Sequence, residues 1–183
     1  MNIIKFIAAA IFAVIFATPA FATAPNLAVC ANKLQVLEAS IRKNPTDLQV
    51  RRYYVEVLVS AGRAKSAETE MEGLVRAGLR SANDFALMAD VYRYNCEFNK
   101  AIHYYQEALN IVSDDAHAKS GLALTYMQAG APKIAKKLCL EGLTVSKDVN
   151  GRRELVKALA TIDDAQKSIA ASKQVACVDG VRL

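Results

Sequence analysis

Sliding the chain against itself by 34 residues brings Ala67, Ala101 and Ala135 into one column. The same shift aligns Leu58 with Tyr92 and Tyr126, Tyr54 with Met88 and Leu122, Gly62 with Cys96 and Gly130, and Met71 with Tyr105 and Cys139. Columns in register from Leu48 to Val149 constrain the fold more than composition does, because a fixed period of this length marks a supersecondary unit whose copies stack on one another. Apolar residues recur at i, i+3 and i+4 along the chain, and glycine and proline are rare after the first two dozen residues, so each unit is read as a hairpin of two helices and the class as all-α.

Each column has a physical reason within such a hairpin. A small residue at 67, 101 and 135 lets the second helix approach the first closely, while pairs four apart, such as Met88 with Tyr92, face inward from the first helix. Gly62 and Gly130 fall where the chain reverses and a left-handed backbone costs least. Asn44-Pro45 is expected to open one helix with proline in its first turn, Ser81 with Asp84 to form a capping box, and Pro132 to begin another helix.

With these columns in place the sequence resembles the tetratricopeptide repeats. Residues 82–115 carry the likeness most clearly, through Phe85, Met88, Ala89, Tyr92, Phe98, Ala101, Tyr105, Ala108 and Leu109. Residues 48–81 and 116–149 depart from the pattern, with Arg51 and Lys119 in place of the first aromatic and Gly142 in place of alanine. The resemblance implies a right-handed solenoid of hairpins. Ala28–Lys43 reads as the second helix of a degenerate preceding repeat, and Arg152–Ala170, with Leu155, Leu159 and Ile162 on one face, as a capping helix within a C-terminal segment 150–183.

The resemblance further implies a concave surface lined by the first helices: Gln49, Arg52, Glu56, Val59 and Ser60, then Asn83, Ala86, Asp90, Arg93 and Tyr94, then His117, Ser120, Leu124, Met127 and Gln128. By side-chain type Arg52, Arg93 and Tyr94 are the expected anchors, with Leu124 and Met127 as an apolar patch. A subgroup of the family clamps a terminal carboxylate with Lys, Arg and Asn side chains. At the matching positions stand Arg52, Glu56, Leu87, His117 and Gly121, of which only Arg52 fits, so that clamp is rejected.

The N-terminus has another character. Lys5 precedes an almost unbroken apolar run from Phe6 to Ala17, followed by Thr18-Pro19 and Ala20-Phe21-Ala22, the three-part plan of a secretory signal peptide cleaved after Ala22. The run is shorter than the roughly 20 residues that span a bilayer, which disfavours an uncleaved anchor. Leu27-Ala28-Val29-Cys30 looks like a lipobox but has Val29 where a small residue is required, which disfavours lipidation at Cys30. An exported, periplasmic protein is expected, with a flanking segment 23–47 before the repeats and no membrane span once the signal is removed.

Removing residues 1–22 leaves 161 residues with 22 basic and 18 acidic side chains, a balance of only +4. Charges of both signs are scattered along the helices, which speaks against nucleic acid as partner. Cys30, Cys96, Cys139 and Cys177 all lie in the mature part, and an even number in an exported chain favours disulfides. Of three possible pairings, the stacked arrangement favours Cys139 with Cys177 and, by elimination, Cys30 with Cys96.

His103 and His117 lack the partner spacing of a metal site, and no motif for nucleophilic, metal or phosphate chemistry occurs. Asp114-Asp115 and Asp163-Asp164 are expected near helix ends as caps or solvated charges. The reading is a non-catalytic scaffold or adaptor for a protein or peptide segment, without cofactor or metal; the alternative is a structural homo-oligomer joined through terminal helices.

Overall fold

The computed structural model describes residues 24–179, with side chains described for residues 29–170. The expected signal peptide, its cleavage site after Ala22 and the last four residues lie outside the described part. Among the described residues there are eight helices and no strand. They are α1 (Ala24–Lys43), α2 (Leu48–Ser60), α3 (Ala64–Arg76), α4 (Ala82–Tyr94), α5 (Phe98–Ile111), α6 (Ala116–Gln128), α7 (Pro132–Val145) and α8 (Val149–Asp179).

Local chemistry sets most of these boundaries. Asp47 caps α2 by accepting the N–H groups of Gln49 and Val50, each at 3.1 Å. Ser81 and Asp84 form the reciprocal capping box of α4, and Asp115 caps α6 through the N–H of Ala118. Each hairpin then turns on one motif. Gly62, Cys96 and Gly130 have φ of 71°, 61° and 84°. The following residues, Arg63, Glu97 and Ala131, donate back to the carbonyls of Leu58, Tyr92 and Tyr126 at 2.8, 2.9 and 2.8 Å. This left-handed closure satisfies carbonyls that a helix end leaves open.

The helices pair as α2 with α3, α4 with α5, and α6 with α7, and each second helix also packs on the next first helix. The first helices α2, α4 and α6 touch in succession and α8 continues their layer, whereas α3, α5 and α7 do not touch one another. A stack tight on one side and splayed on the other curves, with its first helices on the concave face. At the crossings Ala67, Ala101 and Ala135 are fully buried. Leu58, Met71, Leu74 and Tyr105 are buried in the same cluster as Ala67 and Ala101, each fully buried leucine or methionine contributing about 1.5–3 kcal/mol.

The positions that departed from the repeat pattern are repacked. Arg51 occupies the aromatic slot and reaches across its hairpin to Glu70 at 2.9 Å. A Cβ at Gly73 would stand 2.8 Å from the Arg51 guanidinium, so the glycine makes room for it. At Gly142 a Cβ would meet Leu155 at 2.9 Å and the Lys119 stem at 3.3 Å, so the missing methyl lets α8 settle on α7.

The flanks complete the stack. Among the described residues helix α1 packs on α2 alone, joined by Tyr54 Oη donating to Glu38 at 3.0 Å. Helix α8 rests on both α6 and α7, with Ile162 and Ala158 against Cys139 and with Lys136 paired to Asp163 at 2.9 Å. It is longer than the expected Arg152–Ala170, so Asp163 and Asp164 lie within a helix rather than near an end. Pro45 lies in the turn before the Asp47 cap rather than in the first turn of α2. Among the described residues no helix is long and apolar enough to cross a membrane.

The expected bridge between Cys30 and Cys96 is absent, since both are free thiols. Cys96 sits exposed at the α4–α5 turn, and α1, which carries Cys30, touches only α2. Cys139 is also free and fully buried, and burial pushes its thiol up to about 11. The side chain of Cys177 lies outside the described ones. Its helix, however, runs on from Ile162 to Asp179 without folding back, which carries position 177 roughly 22 Å along the axis from the Cys139 contact at 1.5 Å per residue.

Cys96 is the one non-glycine residue with positive φ among the described residues, in a column otherwise held by glycine. Cys96→Gly is therefore expected to stabilise the protein by about 0.5–1 kcal/mol, the relief of left-handed strain outweighing the greater freedom of the unfolded chain. Gly130→Ala should lower stability by a similar amount. Urea denaturation of both variants measures the two effects.

Candidate binding groove

The concave face is made by helices whose buried sides are locked into the stack, so only residues at fixed helical intervals reach it. On α2 these are Arg52, Glu56, Val59 and Ser60, on α4 Asn83, Leu87, Asp90, Arg93 and Tyr94, and at the start of α6 Asp115 and His117. Together they enclose a cavity of about 490 Å³. A second hollow of about 240 Å³ lies beside it between α6 and α8. It is lined by Ser120, Gly121 and Leu124 and by Glu154, Lys157, Ala158 and Thr161. Asp90, Arg93 and His117 belong to both, and form the ridge between them.

That ridge is a buried polar network. Asp90 Oδ1 accepts from Tyr105 Oη at 2.6 Å and from Arg93 Nη2 at 3.1 Å, while Oδ2 meets His117 Nε2 at 2.8 Å. Arg93 Nε also donates to Tyr105 Oη at 3.3 Å, and His117 Nδ1 stands 3.7 Å from Glu154. Three helices, α4, α5 and α6, thus meet through one carboxylate, which burial alone would push toward the neutral form. The hydrogen bond from His117 and the charges of His117 and Arg93 outweigh that and hold its pKa below the usual value. The same hydrogen bond to Asp90 raises His117 to about 9, against the opposing pull of burial, so the half-exposed ring is an imidazolium at neutral pH.

Gly121 is what admits Tyr105 to this position. The tyrosine ring lies directly against the Gly121 backbone, where a Cβ would overlap its ring and hydroxyl. Thr125 returns its hydroxyl to the Gly121 carbonyl at 2.8 Å, so the helix stays intact beneath the ring.

Arg52 is committed elsewhere. Its guanidinium gives Nε and Nη2 to Asp84 Oδ1 at 2.8 and 2.6 Å and Nη1 to Gln49 at 2.8 Å. Asp84 is nearly buried and is also the acid of the α4 capping box, so Arg52 ties repeat one to the start of repeat two. Arg93 stacks on Tyr94, its guanidinium carbon 4.4 Å from the ring centroid, and leaves the tyrosine about half exposed toward the cavity.

Of the residues expected on the concave surface, Arg52, Glu56, Asn83, Asp90, Arg93, Tyr94 and His117 come together in the larger cavity and Leu124 in the smaller one. Met127 instead packs against the cluster around Cys139, and Gln128 lies at a separate surface hollow with Cys96 and Phe98. Leu87, named only as a position of the rejected clamp, and Asp115, read only as a cap, also line the larger cavity, and sequence reasoning missed the wall from α8. The spacing of Glu154, Lys157, Ala158 and Thr161 is that of one helix face, the one signal that pointed to them. His103 is exposed on α5, away from the groove, tilted against Tyr104.

No family model matches the sequence, and no curated protein matches it. Solved structures do match the fold. The tetratricopeptide-repeat protein TTC0263 of Thermus thermophilus aligns with a TM-score of 0.59 at 15% identity, over 77% of this chain and 80% of that one. MamA, from residue 41 to its end, of Desulfovibrio magneticus RS-1 aligns with a TM-score of 0.57 at 17% identity, over 66% and 68%. A tetratricopeptide repeat protein of Parabacteroides merdae aligns with a TM-score of 0.51 at 19% identity, over 73% and 55%. The chain has the tetratricopeptide-repeat fold.

Two outcomes test the ridge. Gly121→Ala is expected to destabilise the protein by about 1–3 kcal/mol despite alanine's better helix propensity, because the buried, tethered Tyr105 ring has nowhere to move; thermal and urea unfolding report it. His117 has a raised folded-state pKa, so its contribution is fully present below the unfolded value near 6.5 and is lost as pH rises through about 9. The stability difference between wild type and His117→Gln is therefore expected to be flat in acid below 6.5 and to shrink steadily toward pH 9, measured by denaturation across that range.

Proposed function

We propose that this protein is a non-catalytic interaction scaffold of the cell envelope, holding a peptide or protein segment in its concave groove. The observation that carries the reading is the larger cavity, open to solvent and walled by α2, α4 and α6, so that no single repeat builds it. A segment laid there touches three repeats at once, and a rigid stack presents these contacts with little ordering cost. The shared fold supports a protein partner. Catalysis at the ridge is disfavoured by the state of its titratable groups: Asp90 accepts from three donors and His117 is held as an imidazolium by its carboxylate neighbours, so neither is free to act as a base. The envelope location rests on the signal-like plan of residues 1–22.

A photo-crosslinking side chain placed in turn at Asn83 and Tyr94 in the groove, and at His103 on the outer layer, tests this in cells that export the protein. Adducts are expected from the two groove positions and not from His103. Adducts from His103 alone would end the groove reading. Intact mass of the protein recovered from the envelope is expected to correspond to a chain beginning at Thr23.

One observation favours a second reading, self-association through α1. Among the described residues that helix packs only on α2, and it leaves Val29 and Val36, two turns apart on one face, 51% and 65% exposed. Light scattering decides it: association through this face requires a mass that rises with concentration and reverts with Val36→Glu, and a single monomeric mass at all concentrations removes it.

A further inference from the structure

We propose that the larger cavity accepts a lysine or arginine side chain of the bound segment, its carbon stem lying on Val59, Leu87 and Tyr94 and its charge meeting Glu56. The inference rests on the groove reading and adds the chemistry of what enters.

The charges lining this single cavity are not equally satisfied. Its cations are already neutralised from inside the protein. Arg52 is bound to Asp84 and Gln49, while Arg93 and His117 converge on Asp90 and the other His117 nitrogen stands 3.7 Å from Glu154, so these two cations face two carboxylates. Arg93 keeps only 11% of its side-chain surface exposed, so little of its charge faces an incoming group. The acids are not balanced in the same way. The Glu56 carboxylate has no partner among the described residues, its one nearby hydroxyl, on Ser60, being turned to the Glu56 carbonyl at 2.9 Å. Asp115 spends one oxygen on the N–H of Ala118 and adds a second negative charge to the lining. An incoming carboxylate would meet the unpaired Glu56 charge beside cations that are each already paired with an acid, whereas an incoming cation finds an unpaired carboxylate on a concave surface.

The rest of the lining selects a side chain over a bare ion. A space of about 490 Å³ is far larger than a metal ion needs, and among the described residues no three metal-type ligands converge. Val59 and Leu87 supply apolar wall and Tyr94 an exposed aromatic edge, the surface on which a methylene stem packs while its charged end reaches a carboxylate. The Asn83 amide, also without a partner among the described residues, offers a donor and an acceptor to the peptide group from which such a side chain springs. That pairing favours a segment of polypeptide over a free polyamine.

Titrating the isotopically labelled, purified protein with capped pentapeptides in which lysine, glutamate or leucine stands between alanine pairs tests this by backbone amide shifts. The lysyl peptide is expected to move the signals of Glu56, Val59, Asn83 and Tyr94 at millimolar concentration, at least fivefold more tightly than the other two. Glu56→Gln, an exposed change that leaves the stack untouched, should bring its affinity down to that of the leucyl peptide. If the glutamyl or leucyl peptide binds the same residues equally well, or if Glu56→Gln leaves the lysyl affinity unchanged, the proposal fails and the groove reading stands. If none of the three moves these signals, both fail.

Discussion

A helical hairpin of this size cannot cover its own apolar face, and every larger feature of the molecule follows from that shortage. Each first helix must be roofed by its own partner and walled by the next first helix, so the hairpins stack, and closeness at the crossing is set by what stands at positions 67, 101 and 135. Alanine there leaves no gap and no clash. The need for cover persists at both ends, which is why α1 lies against α2 and why α8 runs along α6 and α7 as though it were the next first helix. Curvature follows as well, because the first helices touch in succession while the second helices do not.

Against this apolar packing, the seam between the second and third repeats is polar. A carboxylate buried at Asp90 is costly unless every oxygen is satisfied and its charge offset, and here Tyr105, Arg93 and His117 do both. The consequence for the groove is geometric. The network cannot be withdrawn to make room, so it stands as a ridge between two hollows, and the charges that form it are unavailable to a partner. What remains open to a partner is the residue set the network does not use: Glu56, Asn83 and Tyr94 on one side, Leu124 and Lys157 on the other.

The departures from the repeat pattern are compensated in space. Arg51 and Lys119 stand where an aromatic ring was expected, and Gly142 where alanine was, yet the stack is not weakened into a gap at either place. Arg51 brings a counter-charge in Glu70 and a glycine at 73 to fit beside it, and the glycine at 142 is filled by Leu155 from the capping helix. Substitutions taken singly look like erosion. Together with their spatial neighbours they are exchanges of one packing solution for another.

Period, class and turns were legible in the chain itself, because helical periodicity, small residues at crossings and glycine at left-handed turns are local requirements that recur every 34 residues. The capping box at Ser81 and Asp84 is local in the same sense. The expected disulfides were not local: they assumed that α8 ended early and turned back, whereas it continues to Asp179, and that Cys30 reached a turn its helix does not touch. Nor did the residue pattern disclose that Arg52, Asp90, Arg93 and His117, all placed on the concave surface by their spacing, spend their charges on Asp84 and on one another. Side-chain type and helical phase determine which residues face the groove. Which of them still has a charge to offer is decided only when neighbouring helices bring the opposite charges within hydrogen-bonding distance.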